Sequence, residues 1–318
     1  MSSRPGSNRE SPVRGVMVVG GAGFLGSHLV DRLVGAGPGV GQIDVVDDLS
    51  SGSLANLAEA RGASDGRLRI HTFDATSPEL PVLVQRSSPS VIVVTAAFNA
   101  SRADGLRAAA SYTLVMSVLE AARIARVDKV VVTVPAIALH GEVPVRDLPV
   151  KEDREPRPVG SSGVTVASVL DLLDHFRRDH NVDYTALALS TVYGPRQRAD
   201  ANVVAAFLAA AHEGRDATVH GDGRQTRDLL YVDDAVDAVF RSLDRGSGLV
   251  LNIGTGRQTS VSDLWAIIGG SRGTVSAPAR AFDVKRSALS PSRARLQLGW
   301  APWTGVAEGV VATAASFT

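Results

Sequence analysis

A run of four apolar residues, Val16-Met17-Val18-Val19, enters Gly20-Gly21-Ala22-Gly23-Phe24-Leu25-Gly26 with nothing between, and an amphipathic stretch from Phe24 to Val34 follows. This order predicts a strand, a glycine turn and a helix. Gly20 permits the tight turn, Gly23 lets a ligand's phosphates approach the backbone, and Gly26 lets the helix pack against the strand. The helix N-terminus then presents unpaired N–H groups and the positive end of its dipole. A glycine turn without a ligand would share the spacing. Asp47 favours the ligand: it lies about twenty residues after Gly26, at the end of the next apolar run, where a carboxylate accepts adenine-ribose hydroxyls. Such a carboxylate repels a 2′-phosphate, so the expected dinucleotide is NAD rather than NADP.

Further β-branched runs recur along the chain. Ile43–Val46, Leu68–Phe73, Val91–Thr95, Val130–Val134, Thr185–Leu189 and Leu249–Ile253 join Val16–Val19 as seven predicted strands. Val91-Ile92-Val93-Val94 is apolar at every position, as a parallel strand covered on both faces requires. Leu106–Ala125 and Val164–Arg178 read as helices between strands. The alternation predicts an α/β fold, a doubly wound, Rossmann-like parallel sheet with a smaller C-terminal substrate lobe. Residues 14–190 are expected to form the dinucleotide-binding domain, with 249–253 returning to its sheet and 191–318 mainly the lobe. Residues 1–13, rich in Ser, Arg, Pro and Gly, are expected to be a disordered tail.

Equal numbers of acidic and basic residues give no formal net charge, so neither nucleic acid nor an anionic membrane is an expected partner. Only three of the 33 basic residues are lysines. Cysteine is absent, which removes disulfides, thiolate nucleophiles and cysteine-held metals, and fits a cytoplasmic setting. The histidines are scattered, and no metal site is expected. No stretch reads as long and apolar enough to span a membrane. Asp74, after the third strand, either caps the adenine or N-caps a helix. Ala96 and Ala97 end the fourth strand with small side chains that leave room for a cofactor.

Several ordered motifs resemble the extended short-chain dehydrogenase/reductase family, in particular its nucleotide-sugar epimerases and dehydratases of the UDP-glucose 4-epimerase type. They are Asp47-Asp48-Leu49-Ser50-Ser51-Gly52, Leu119-Glu120-Ala121-Ala122-Arg123, Val192-Tyr193-Gly194-Pro195-Arg196, Gly221-Asp222-Gly223-Arg224-Gln225-Thr226-Arg227-Asp228, Tyr231-Val232-Asp233-Asp234, Asn252-Ile253-Gly254-Thr255-Gly256 and Leu298-Gly299-Trp300. The resemblance adds Phe24, Leu25, Asp48, Ser50, Ser51, Gly52 and Ala75 to the expected NAD site. It puts Arg227 on the diphosphate of a UDP- or dTDP-linked sugar, Arg280 as a second clamp, Asp283 near the nucleoside ribose, and Asn202 and Val219 in the same pocket. Arg227 could instead form a salt bridge with Asp228 or Asp233. A homodimer is also implied, its interface built by helices around 104–124 and 162–180 through Leu106, Leu114, Val118, Leu172, Leu173 and Phe176.

One part of the family pattern is missing. Its chemistry uses Tyr-x-x-x-Lys on the helix after the fifth strand, where a spacing of four stacks both side chains so that the ammonium stabilises a tyrosinate base. Alignment puts Ser162 and Val166 there, and Pro135-Ala136 where the family carries a hydroxyl. The residues four before the three lysines are Ala125, Asp147 and Ala281, so no such pair exists anywhere. Thr191 also replaces the usual Asn before Val-Tyr-Gly-Pro. His140, with an imidazole that titrates near neutrality, and Ser162 are the available substitutes; the alternative for His140 is a packed loop residue. Two readings follow: an NAD-binding, nucleotide-sugar-modifying enzyme with a non-standard site that is not a conventional 4-epimerase, or a catalytically silent accessory protein that binds the same ligands.

Overall fold

The computed structural model describes residues 13–96, 98, 105–269, 272–280 and 283–317. All seven apolar runs become strands: β1 (Val13–Val19), β2 (Val40–Asp47), β3 (Leu68–Thr72), β4 (Val91–Val94), β5 (Lys129–Pro135), β6 (Asp183–Leu189) and β7 (Leu249–Ile253). They form one sheet in the order β7-β6-β5-β4-β1-β2-β3, and every neighbouring pair is parallel. Residues 1–12 of the expected tail lie outside the described residues, and Val13 already belongs to β1.

Strand geometry sends alternate side chains to opposite faces. Val16, Val18, Val91 and Val93 enter one core, while Met17, Val19, Ile92 and Val94 enter the other. The first core is closed by α1 (Phe24–Gly35), through Leu29, Val30 and Leu33. The second is closed by α2 (Glu79–Ser87), α3 (Gly105–Ala125) and α4 (Gly160–His180). Helices on both faces explain why these strands are apolar throughout.

Beyond residue 190 the chain forms α5 (Val203–His212) and three small ladders. Thr191–Tyr193 pairs with Leu229–Tyr231, Ala217–His220 with Thr274–Ala277, and Thr226–Arg227 with Thr259–Ser260. The next helix, α6 (Val232–Arg241), crosses back and packs on α1, with Ala235, Val236 and Val239 in the first core.

Two expectations need correction. Among the described residues α3 is long and apolar enough, by length and composition, to cross a membrane. Its Val115, Val118, Leu119 and Ala122 are nevertheless core residues on the sheet, which accounts for much of that character. Of the six residues expected at a dimer interface, Val118, Leu172, Leu173 and Phe176 are buried in their own subunit, because α3 and α4 pack against each other. Leu106 alone of the six is strongly exposed, at 86%.

Lys129 opens β5 at the sheet's amino edge, away from the loops that follow the strands. It is buried, and its Nζ donates to the Arg245 carbonyl at 2.6 Å. Burial pulls its ammonium down to about 8, opposed by Asp183 and Asp244. Because the folded value lies below the unfolded one, the stability linked to this group is present above about pH 10.4 and is lost as pH falls through about 8. Wild type should therefore gain roughly 2–3 kcal/mol on Lys129→Met between pH 7 and pH 10. Thermal or denaturant unfolding of both proteins across that range checks this, and a difference independent of pH would refute it.

Candidate functional site

The sheet order reverses between β1 and β4, which opens a crevice at the carboxyl edge where ligands of such sheets bind. Gly20 turns the chain there with φ +85°, and a Cβ on it would lie 2.5 Å from the Ala96 Cβ. A Cβ on Gly26 would collide with the Gly20 carbonyl oxygen, so the start of α1 presses directly on the turn. At Gly23 a Cβ would meet only the Gly20 carbonyl oxygen, at 3.3 Å, so this face of the loop is open. Gly23 N-caps α1 without a side-chain hydrogen bond, and the first turn carries no acidic residue. Those N–H groups and the helix dipole suit a pyrophosphate.

Asp47 is buried at the end of β2. Its Oδ2 accepts the Ala22 N–H at 2.8 Å and its Oδ1 the Leu49 N–H at 2.8 Å. A carboxylate has about four lone-pair sites, so two remain for ribose hydroxyls. Leu49 adopts φ +58°, and Asp48 then accepts from the Ser50 N–H and hydroxyl. Ser50, Ser51 and Gly52 run over the glycine loop, where Ser53 N–H and Asn56 Nδ2 both donate to the Ala22 carbonyl. Phe24 and Leu25 begin α1. Asp74 accepts from Thr76 N–H and hydroxyl, making a local turn; Pro78, not Asp74, precedes α2, so the helix-cap alternative is excluded. Ala75 is buried beside it. Ala97 lies outside the described residues. Sequence reasoning missed Thr95, whose hydroxyl donates to the Val19 and Gly20 carbonyls and ties β4 to the turn.

The positions expected to hold the acid–base groups carry Ser162, Val166 and Pro135-Ala136. Pro135 ends β5, and Ala136 is fully buried at the start of a short helix, Ala136–His140. Ser162 is partly exposed in the first turn of α4. Val166, one turn on, is 0% exposed within the second core. Between them, a Cβ on Gly163 would collide with the Ala138 carbonyl oxygen, so α4 lies tight on the short helix. His140 is 5% exposed, and its Nε2 lies 3.1 Å from the Asn252 Oδ1. The Asn252 amide donates to the Val150 carbonyl at 3.0 Å, which leaves Nε2–H as the donor to its oxygen. Burial holds the imidazole below its usual value, with the Asn252 bond opposing and the Arg154 charge adding. His140 is thus held through Nε2 by Asn252, while its buried Nδ1 has no hydrogen-bond partner among the described residues. At the end of β6, Ser190 Oγ is buried without a hydrogen-bond partner among the described residues, a polar atom that no motif announced.

The expected nucleotide pocket comes together in part. Arg227 donates to the Thr226 and Val284 carbonyls and pairs with Asp283. Its ion-pair partner is thus neither Asp228 nor Asp233, and the two residues expected on diphosphate and ribose face each other. Arg280 is exposed. Val219 lines a cavity of about 520 Å³ with Gly221, Asp222, Ser262 and Trp265. Asn202 is the N-cap of α5, its Oδ1 accepting from Val204 and Ala205 N–H and its Nδ2 donating to the Val192 carbonyl. Asp228 is 0% exposed and accepts four hydrogen bonds, from Thr255 N–H and hydroxyl, Gly256 N–H and Leu289 N–H. Burial pushes its carboxyl upward against those donors.

Comparison with known proteins agrees with this geometry. Residues 16–254 match the model of the NAD dependent epimerase/dehydratase family. The chain is 36% identical over 312 residues to a UDP-glucose 4-epimerase of Mycolicibacterium smegmatis, covering 95% of this chain and 97% of that protein. It is 28% identical to a dTDP-glucose 4,6-dehydratase of an Actinoplanes species, covering 94% and 96%. Among solved structures, UDP-glucose 4-epimerase of Thermotoga maritima with UDP-glucose superposes with a TM-score of 0.87 at 32% identity, covering 95% and 98%. The Thermus thermophilus UDP-glucose 4-epimerase complex with NAD gives 0.85 at 28% identity, with the same coverage.

Asp47→Ala removes acceptors from two backbone N–H groups and from a bound ribose. It should lower stability by about 1–3 kcal/mol and weaken NAD binding on the same scale. Wild type at a hundredfold excess of NAD over Kd should gain about 2.7 kcal/mol. NADP matching NAD in a thermal-shift titration of wild type would refute the role given to Asp47.

Proposed function

The chain belongs to the NAD-dependent epimerase/dehydratase family, and from that premise we propose that it is an NAD-binding, nucleotide-sugar-modifying enzyme with a non-standard site, not a conventional 4-epimerase. The supporting observation is the pair of positions on α4: a serine and a fully buried valine stand where a tyrosinate and its lysine belong. NAD, when bound, supplies the acceptor and donor of hydride. The chain's own residues fit it: the uncapped start of α1 faces the phosphates, and Asp47 faces the ribose. Arg227 and Asp283 would separate to receive the diphosphate and ribose of a UDP- or dTDP-linked sugar, with Arg280 as a second cation. A guanidinium suits this because it forks onto phosphate oxygens with charge-assisted bonds.

Ser162 can orient a sugar hydroxyl but cannot by itself remove its proton. His140, buried and engaged by Asn252, supports the second reading, a protein that binds these ligands without turnover. The two differ in one observable: the enzyme forms reduced nicotinamide with some sugar nucleotide in a UDP- and dTDP-linked panel, and the accessory protein forms none.

Purified protein given NAD with UDP-glucose or UDP-galactose should epimerise at least roughly 10²–10⁴-fold more slowly than a member with the full pair. Ser162→Tyr with Val166→Lys should restore little, because the lysine would enter the apolar core and the hydroxyl after β5 would still be missing. Robust epimerisation by the unaltered chain would overturn the proposal. His140→Ala would then test whether the imidazole carries the proton.

We further propose a homodimer through the outward faces of α3 and α4. Leu106, Val164 and Ile124, at 86%, 59% and 48% exposure, are apolar groups that a second copy would cover. Sedimentation at micromolar concentration should show twice the monomer mass; a single monomeric species would refute it.

A further inference from the structure

Asp228 follows Arg227 in the chain, yet its side chain points the other way, into the protein. Its Oδ1 accepts from Thr255 N–H at 2.8 Å and Thr255 hydroxyl at 2.7 Å. Its Oδ2 accepts from Gly256 N–H at 3.0 Å and Leu289 N–H at 2.9 Å. Four donors on two oxygens fill the usual capacity of a carboxylate, so this geometry belongs to the ionised form. Its backbone carbonyl accepts from Thr191 N–H at 3.0 Å as well.

Three separate segments therefore converge on one residue: the turn after β7, the strand after β6, and the chain around Leu289. The last matters most for the clamp. Leu289 is bridged to Val150, and Val150 exchanges backbone hydrogen bonds with Ala288 and Ser290. A few residues upstream, Val284 and Asp283 accept from the Arg227 guanidinium. Asp228 thus anchors the segment that Arg227 faces, while its own backbone carries Arg227. Both halves of the clamp are set by one buried carboxylate.

We infer that Asp228 is the positioning residue of the nucleotide clamp: by holding Leu289 and the Thr255–Gly256 turn it fixes the distance and register between Arg227 and the segment carrying Asp283. This rests on the reading of Arg227 as the diphosphate contact. Asp228 touches no ligand itself. Its influence is confined to the nucleotide half of the site, because none of its hydrogen bonds reaches the glycine loop or Asp47.

Calorimetric titration of the full chain with UDP, with dTDP in parallel, and with NAD tests the inference in wild type, Arg227→Gln, Asp228→Asn and the double variant. Asp228→Asn should weaken nucleoside diphosphate binding by about tenfold or more, since it unsettles several charge-assisted bonds, and leave NAD affinity within about twofold. In the Arg227→Gln background the same substitution should add little, as expected of a residue acting through its neighbour. Equal loss in both backgrounds, or parallel loss of NAD affinity, would overturn it. If Asp228→Asn fails to fold, Thr255→Val removes one of the four donors, together with the exposed acceptor of the Arg257 N–H; it should weaken UDP a few-fold when Arg227 is present and not when it is absent. No loss in that variant would overturn the inference. Unchanged UDP affinity in Arg227→Gln would instead remove the diphosphate reading, and the inference with it, as would failure of wild type to bind either nucleotide.

Discussion

At the switch point between β1 and β4, backbone meets backbone with no space for a side chain. A Cβ on Gly20 would stand 2.5 Å from the Ala96 Cβ, and one on Gly26 would overlap the Gly20 carbonyl. This contact sets how close α1 comes to the sheet and where its N-terminus points. The surrounding bonds depend on it: Thr95 reaches the Val19 and Gly20 carbonyls, and Asp47 reaches the Ala22 N–H, only because the turn is that tight. The dinucleotide crevice is thus a consequence of packing, and Asp47 serves the loop before it serves any ribose.

The C-terminal motifs work in much the same way. Asp234 is buried, accepts from the Trp303 and Thr304 N–H groups, and receives the Trp300 indole N–H on its carbonyl. Arg196 clasps Asp31 and Ser27 on α1. Asp228 ties three segments. Each is a polar group whose burial would be costly without partners, and each finds its partners on a remote part of the chain. Asp234 ties α6 to the chain around residues 300–304, Arg196 ties the strand after β6 to α1, and Asp228 ties the turn after β7 to the chain around Leu289.

The region around Val166 and Pro135-Ala136 is also shaped by packing. Val166 contributes to the core between α4 and the sheet, Ala136 is buried, and Pro135 gives up a backbone donor at the end of β5. Ala136 and Val166 contribute only apolar contacts there. Asn252 and His140 form a buried polar pair nearby that stitches the short helix to β7.

The strands, the glycine turn and Asp47 were legible in the amino-acid order because they depend on local rules: β-branched runs make strands, and only glycine fits a turn so crowded. The absence of Tyr-x-x-x-Lys was legible too, since none of the three lysines has a tyrosine four residues before it. Contacts between distant segments were not. Asn202 could be aligned with a pocket, but only the folded chain shows its amide capping α5. Arg227 could be read as cationic, but its pairing with Asp283 depends on where Asp228 anchors Leu289. Leu172 and Phe176 carried helical spacing, which identifies an apolar face but not whether it meets a sheet or a second subunit. By itself the sequence determined the sheet, the glycine loop and the absence of a Tyr-x-x-x-Lys pair; tertiary structure alone decided which polar side chains meet each other, because that choice is made by groups far apart in the chain competing for the same few hydrogen-bond partners.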